Sequence, residues 1–148
     1  KHHGGIAPPP VAIDTCYCSK DAGQAEEYAN KYIASYYLSV LEHYEFLEDY
    51  HRDTKGYESY AAAADILKAA GKEQSLMDYV GNQATGTPQQ ILDKLDARRK
   101  VLGDFEWNMM LSYGGMPFED VHESMRLLGS EVLPEVRSWG MEPSSKVA

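Results

Sequence analysis

The fold of this chain is decided by residues 86–137, whose sequence is GTPQQILDKLDARRKVLGDFEWNMMLSYGGMPFEDVHESMRLLGSEVLPEVR. Thr87 and Gln90 form the pattern of a helix start, because the threonine side chain can accept from the backbone N–H of Gln90 while the glutamine side chain reaches back. The proline between them needs no N–H donor at the first helical position. Gly103 ends the segment, so we predict a helix over 87–102.

A strand and a second helix follow with almost no spare residues. Apolar residues alternate with mostly polar ones through 104–113, which is the period of a strand: Phe105, Trp107, Met109, Leu111. A Gly-Gly turn leads to Pro117, which opens a helix over 117–137 whose apolar residues recur at helical spacing: Val121, Met125, Leu128, Val132, Val136. A helix, a strand and a second helix joined by such short connections indicate a parallel α/β fold.

We predict a second strand over 11–19, because this segment is apolar or small on both faces, as in a covered parallel strand. In such folds ligands bind at the carboxyl ends of the strands. The residues expected to line a cofactor or substrate pocket there are Cys18, Ser19, Ser112, Tyr113, Gly114 and Gly115. The two glycines would let a ligand approach the backbone closely; alternatively, they only shape the turn into Pro117.

Two further features lie along the strands. We expect Asp14, Glu106 and Asn108 to face inward and to form buried hydrogen-bond networks with a structural role. Cys16 and Cys18 share a face of their strand and are poorly placed to bridge each other, which favours buried strand residues over a redox or metal role.

The stretch 21–81 separates the two strands and carries mainly helical patterns. A tyrosine-rich amphipathic helix is predicted from Asp21 to about His51, then a helix from Tyr57 to Ala70 and a short one over 75–80. A crossover between parallel strands needs only one helix, so this is a helical insertion of the kind that serves as a lid or an interface. A short third strand is expected between Gly81 and Gly86.

The composition of the chain argues against two classes of partner, nucleic acids and membranes. The chain has 148 residues and a formal net charge of -9, from 23 acidic and 14 basic side chains, which argues against a nucleic-acid surface. No apolar run approaches the roughly 20 residues that span a bilayer, and no signal-peptide pattern opens the chain, so we expect no membrane partner and a cytoplasmic location.

Two strands cannot close a parallel sheet, and a (β/α)8 barrel typically takes about 250 residues. We therefore expect 11–137 to be the C-terminal part of a (β/α)8 TIM barrel whose N-terminal portion is absent, mostly helical by residue count. Residues 1–10, which contain three consecutive prolines, are expected to be an extended leader, and 138–148 a tail.

An ordered series of motifs carries a family resemblance. The segments 82–91, 105–117 and 121–136, together with the helical region 36–60, resemble the C-terminal end of the bacterial luciferase-like flavin monooxygenase family. By that resemblance, 11–19 is the seventh barrel strand, 21–81 includes the insertion before the seventh helix, and 105–112 is the eighth strand.

The resemblance implies that reduced flavin mononucleotide (FMN), or a deazaflavin, binds at the carboxyl face of the complete barrel, where oxygen is activated to oxidise a small organic substrate. The family's catalytic histidines lie in earlier strands, so no catalytic residue is assigned here and this chain alone is expected to be inactive. The expected partners are the substrate and O2, with either a homo-oligomer or the absent N-terminal portion covering exposed barrel surface.

Two other classes remain open. Glu48 with His51 and Glu119 with His122 have the Glu-x-x-His spacing of di-iron carboxylate bundles, although both pairs fall near predicted helix ends. A non-enzymatic helical interaction fragment would also suit the tyrosine-rich helix and the acidic composition.

Overall fold

The computed structural model describes residues 8–48 and 50–139, with the side chains of Tyr50 and His51 excepted. The predicted leader therefore lies mostly outside the described residues, as does the predicted tail beyond Trp139. Residues 8–10 have no regular secondary structure.

Residues 11–18 form the middle of a small parallel arrangement of strands. The strand expected over 11–19 is divided into β1 (Val11–Thr15) and β2 (Tyr17–Cys18). A two-residue strand, β3 (Thr85–Gly86), pairs in parallel with β2, and β4 (Glu106–Met110) pairs in parallel with β1. The Cys16 N–H donates to Met110 O at 2.9 Å and the Ser19 N–H to Gly86 O at 3.2 Å, so β4 and β3 occupy opposite edges of the central segment.

Seven α-helices surround these strands in the described part of the chain: α1 (Ala22–Tyr28), α2 (Ala34–His43), α3 (Glu58–Ala70), α4 (Lys72–Asn82), α5 (Pro88–Leu102), α6 (Phe118–Leu127) and α7 (Leu133–Trp139). A π-helical turn over Ala29–Ile33 joins α1 to α2, and another over Leu128–Val132 joins α6 to α7. The segment predicted as one helix over 117–137 is thus α6, a π-helical turn and α7.

The tyrosine-rich helix ends earlier than its periodicity predicts. It stops at His43, and the helix expected to continue to about His51 is replaced by a turn. Glu45 has φ 50, and the Phe46 N–H donates to Leu41 O at 3.2 Å. A residue in the left-handed region cannot continue a right-handed helix, which is the physical reason for the early stop.

The start of α5 has the reciprocal cap that its sequence predicts. The Thr87 side chain accepts from the Gln90 N–H at 3.4 Å, and Gln90 Oε1 accepts from the Thr87 N–H at 2.8 Å. Gly103 follows the helix with φ 74, a conformation that glycine adopts without strain.

The main core lies between one face of the strands and the helices α5 to α7. Buried residues of this core come from both sides: Cys16, Cys18, Ala84, Ile91, Leu95, Leu127, Leu128 and Val132. A second cluster at the carboxyl ends of the strands contains Ala29, Tyr32, Ile33 and Tyr113. Among the described residues, no helix is both long enough and apolar enough to cross a bilayer.

Asp14 and the two polar residues of β4 do not share a face, which corrects the expectation that all three face inward. The register sets Asp14 beside Met109 and Ile13 beside Asn108. Asp14 is 2% exposed, whereas Glu106 and Asn108 are exposed. Neighbouring residues of a strand point to opposite faces, so Val11 and Ile13 lie on the face opposite Asp14. That face is exposed at these two residues and buried at Thr15.

Candidate functional site

Residues that follow β2 form hydrogen bonds with the start of the helical insertion. The Ser19 hydroxyl donates to Gln24 Oε1 at 2.6 Å and accepts from the Asp21 N–H at 3.0 Å, while Asp21 caps α1 by accepting from the Gly23 N–H at 2.8 Å. The Cys18 side chain is buried in the main core, and its N–H donates to Ser124 Oγ at 2.9 Å. The structure thus places Cys18 against the helices and Ser19 at the foot of the insertion.

The end of β4 meets the insertion at its π-helical turn. Ser112 is exposed, and the buried Tyr113 donates its hydroxyl to Cys16 O at 3.2 Å. Gly114 and Gly115 have φ values of 60 and 77, a region that favours glycine. A Cβ at Gly114 would lie 3.4 Å from Tyr32 O, so this turn approaches the insertion closely.

Five tyrosines gather at the carboxyl ends of the strands and form what we call the tyrosine cluster: Tyr17, Tyr28, Tyr32, Tyr36 and Tyr113. Tyr17 and Tyr28 stack with ring centroids 4.4 Å apart, and the Tyr28 ring lies 5.1 Å from that of Tyr32. The Tyr28 hydroxyl donates to Asp120 Oδ2 at the start of α6. The Tyr36 and Tyr113 rings lie 6.2 Å apart. The cluster therefore joins the insertion to both strand ends.

Four ionisable groups at this end have pKa values above their ordinary ones: Tyr17, Cys18, Tyr28 and Tyr113. Burial, with a further contribution from Asp120, raises the pKa of Tyr17 to about 12, and the hydrogen bond to Asp120 raises the pKa of Tyr28. Burial raises the pKa of Tyr113 as well, and it raises the pKa of the Cys18 thiol to about 12. These hydroxyls can donate hydrogen bonds and these rings can stack, but none of these groups is a base or a thiolate nucleophile near neutral pH.

The far end of the insertion is tied to β1 through Gln83. Its Oε1 accepts from the Thr15 N–H at 2.8 Å and from Thr15 Oγ1 at 2.9 Å, while its Nε2 donates to Tyr79 O at 3.2 Å. Lys94 and Arg98 of α5 donate to Gln83 O at 2.8 Å and Asn82 O at 3.1 Å. Cations at the last carbonyls of α4 are favourable because that end of a helix is partly negative.

These hydrogen bonds of Gln83, Lys94 and Arg98 were not predicted from the sequence. The Arg98 guanidinium also donates to Asp14 from Nη1 at 2.5 Å and from Nη2 at 2.9 Å, across 84 positions of sequence. By its position near the end of α5, Arg98 would be expected only to interact favourably with the helix dipole. The one available signal was a carboxylate, Asp14, inside an otherwise apolar or small strand pattern, which requires a partner when buried.

The structure adds no support to the di-iron alternative. Within residues 8–48 and 50–139, no three His, Cys, Asp or Glu side chains are grouped so that they could hold a metal ion. The side chain of His51, in the first predicted pair, lies outside the described residues. In the second pair, the His122 ring lies 4.2 Å from the Phe118 ring.

Comparison with solved structures shows a shared fold. Monooxygenase RslO1 from Streptomyces bottropensis matches 90% of this chain with a TM-score of 0.55 and 21% sequence identity. What the two chains share is a fold. The match covers 33% of the RslO1 chain, so this chain spans about a third of that monooxygenase. No protein-family model matches the chain, and no curated protein matches it.

Proposed function

We propose that this chain is the C-terminal part of a luciferase-like, flavin-dependent monooxygenase with a (β/α)8 barrel, and that the complete enzyme oxidises a small organic substrate with O2. The observation that carries the proposal is the fold match to RslO1 over 90% of the chain. The motif series 82–91, 105–117 and 121–136 resembles the same kind of enzyme.

The open face of the strands supports the barrel part of the proposal. Helices cover the Asp14 face along β1, while on the other face Val11 is 52% and Ile13 65% exposed, before that face becomes buried at Thr15. Parallel strands normally have both faces covered and neighbours on both edges. Among the described residues, β4 pairs with β1 alone, so its second edge is available to a further strand. These features suit a wall of a barrel whose interior lies on the Ile13 side.

The chemistry of the carboxyl ends suits a binding wall for reduced FMN or a deazaflavin. When bound, such a cofactor supplies the electrons that reduce O2. The tyrosine cluster would offer ring faces, and the exposed Ser112, Gly114 and Gly115 would let a planar ligand approach the backbone. The insertion would exclude water from that end. The role of this chain is therefore to bind, orient and shield.

The test compares two polypeptides: residues 1–148 and the product of the whole reading frame that contains them. Each is mixed with photoreduced FMN or a reduced deazaflavin, and binding is followed by the quenching of intrinsic fluorescence. Isotopically labelled O2 is then admitted with a panel of small organic substrates, and label incorporation is measured by mass spectrometry. We expect binding and incorporation with the longer polypeptide and no incorporation with 1–148.

Two outcomes would reject the proposal. Incorporation by 1–148 alone would show that the catalytic groups lie within this chain. Failure of the longer polypeptide to bind either reduced cofactor would remove the flavin-dependent activity itself.

A further inference from the structure

A groove of about 670 Å³ runs between α1, α4 and the start of α5. Six small or apolar residues line it: Ala22, Ala25, Ala29, Met77, Val80 and Gly81. Thr85, Gly86, Gln90 and Lys94 also line it. Apolar walls with a few polar groups, at this volume, are typical of small-molecule sites.

Thr85 is the unusual residue of this groove. Its side chain is 8% exposed, and its hydroxyl makes no hydrogen bond to any residue that the structure describes. Buried hydroxyls are nearly always paired, because an unpaired one loses its bonds to water without replacement. A ligand atom that accepts from Thr85 Oγ1 would supply the partner.

A second donor, Lys94, lines the same groove. Lys94 Nζ gives one hydrogen bond to Gln83 O, and an ammonium group carries three donors. Burial lowers the pKa of Lys94, which means that its positive charge is incompletely solvated. The first turn of α5 contains no acidic residue, so the partly positive end of this helix is also uncompensated there.

The remaining charges limit the ligand to a weakly charged acceptor. Glu26 and Asp93 are exposed carboxylates in the lining, and Asp93 already accepts from Gln89 Nε2 at 2.8 Å. They would repel a doubly charged phosphate more strongly than a single carboxylate. The apolar walls require a ligand with an apolar body.

We propose that this groove binds a small organic carboxylate with an apolar body, whose head group accepts hydrogen bonds from Thr85 Oγ1 and Lys94 Nζ. Thr85 and Gly86 pair with Tyr17 and Cys18 at the carboxyl ends of the strands, where ligands bind in parallel α/β folds. The exposed apolar residues of β1, Val11 and Ile13, lie at the opposite end of the central segment. The site needs no flavin and goes beyond the proposed monooxygenase activity.

Hexanoate is the probe, titrated into isotope-labelled 1–148 while amide NMR shifts are recorded. We expect saturable shifts at Thr85, Gly86 and Lys94. Thr85→Val keeps the shape of the side chain and removes the donor, so it should weaken hexanoate binding by about fivefold or more. Because the lost hydroxyl has no internal partner, this variant should not lower the melting temperature of the free protein.

Thr15→Val is the matched control. Thr15 is also buried, at 2% exposed, but its hydroxyl is bonded to Gln83 Oε1 at 2.9 Å. We expect this variant to lower the melting temperature and to keep its hexanoate affinity.

Four binding results would overturn the proposal. They are the absence of saturable shifts with hexanoate, unchanged affinity in Thr85→Val, equally tight binding of inorganic phosphate, and equally tight binding of 1-hexanol. Phosphate binding would show attraction to charge alone, and hexanol binding would show an apolar groove alone. A loss of melting temperature in Thr85→Val as large as in Thr15→Val would reveal an internal partner for the hydroxyl and would also reject the site.

Discussion

Asp14 joins three parts of the chain that are distant in sequence. Its carboxylate accepts from Arg98 on α5, from Trp107 Nε1 on β4 at 2.7 Å and from the Ala84 N–H at 3.2 Å. A buried carboxylate is tolerated when such donors surround it. At this position the charge organises the contact between the strands and α5.

Replacing Asp14 with alanine should therefore destabilise the chain strongly. It would leave Arg98 and the indole N–H of Trp107 without their acceptor, and breaking a buried pair costs about 3–5 kcal/mol. The Arg98 side chain is 21% exposed and can recover some hydration, so we expect a loss of about 3 kcal/mol in urea unfolding.

The control is Asp96→Ala, which removes the exposed ion pair with Lys100. Both side chains of that pair are well exposed, so its loss should change the unfolding free energy far less than the loss of Asp14. Equal losses from the two substitutions would contradict the structural role of Asp14.

Cys18 should make stability depend on pH in the alkaline range. Burial raises its thiol pKa from the ordinary 9.0 to about 12. Since the folded pKa lies above the unfolded one, the stabilisation is complete below pH 9.0 and is lost as the pH rises towards 12. We expect the free energy of unfolding, measured in urea on either side of pH 9.0, to fall above that pH. The fall should be shallower in Cys18→Ala, and an identical slope would show that this thiol does not contribute.

At the scale of elements, the insertion is fastened at both of its ends. Ser19 and Asp21 hold the start of α1, and Gln83 holds the end of α4. Between them, the Tyr28–Asp120 hydrogen bond ties the insertion to α6. Tyr28 makes both this hydrogen bond and a ring stack on Tyr17. The two can be separated experimentally, because a phenylalanine at this position would keep only the stack.

Tyr28→Phe should loosen α1 without unfolding the strands. Losing the hydroxyl donor to Asp120 removes about 1 kcal/mol, so we expect amide exchange over α1 to accelerate by about fivefold while β1 and β4 keep their protection. Hydrogen exchange read by mass spectrometry measures both. Glu131→Gln, which removes an exposed pair with Lys20, should leave α1 unchanged. Unaltered exchange in Tyr28→Phe would mean that the hydrogen bond does not hold the insertion.

At the scale of the whole molecule, the two faces of β1 have different surroundings in the part of the chain that the structure describes. The main core is on the Asp14 side, and the opposite face exposes Val11 and Ile13. If the barrel proposal is right, Ile13 is exposed to solvent in 1–148 and is buried against protein in the complete enzyme.

Ile13→Lys distinguishes these environments. In 1–148 Ile13 is 65% exposed, so the unfolding free energy should change by no more than about 0.5 kcal/mol. In the product of the whole reading frame, a buried lysine should cost several kcal/mol. Ile66→Lys is the matched control, because Ile66 is 69% exposed on α3 and should be insensitive in both. A similarly small change at Ile13 in both polypeptides would refute a barrel interior on this face.

The candidate site was only partly accessible to sequence reasoning. Strand ends could be located, so Tyr113 and Gly114 were named, and both lie where the insertion meets β4. The tyrosine-rich helix is visible in the sequence, but the contacts of its tyrosines with Tyr17, Asp120 and Tyr113 join separate elements. The six predicted pocket residues stay a prediction.

The sequence by itself determined the start of α5 at Thr87, the alternation that makes β4 and the glycine turn after it. These signals act between residues a few positions apart, so a short window contains their whole cause. Only the tertiary structure decided which face of β1 the helices cover, which donors meet Asp14 and which buried threonine has no partner. Those outcomes depend on contacts such as Thr15–Gln83 and Trp107–Asp14, across 68 and 93 positions, and they form only when distant elements pack.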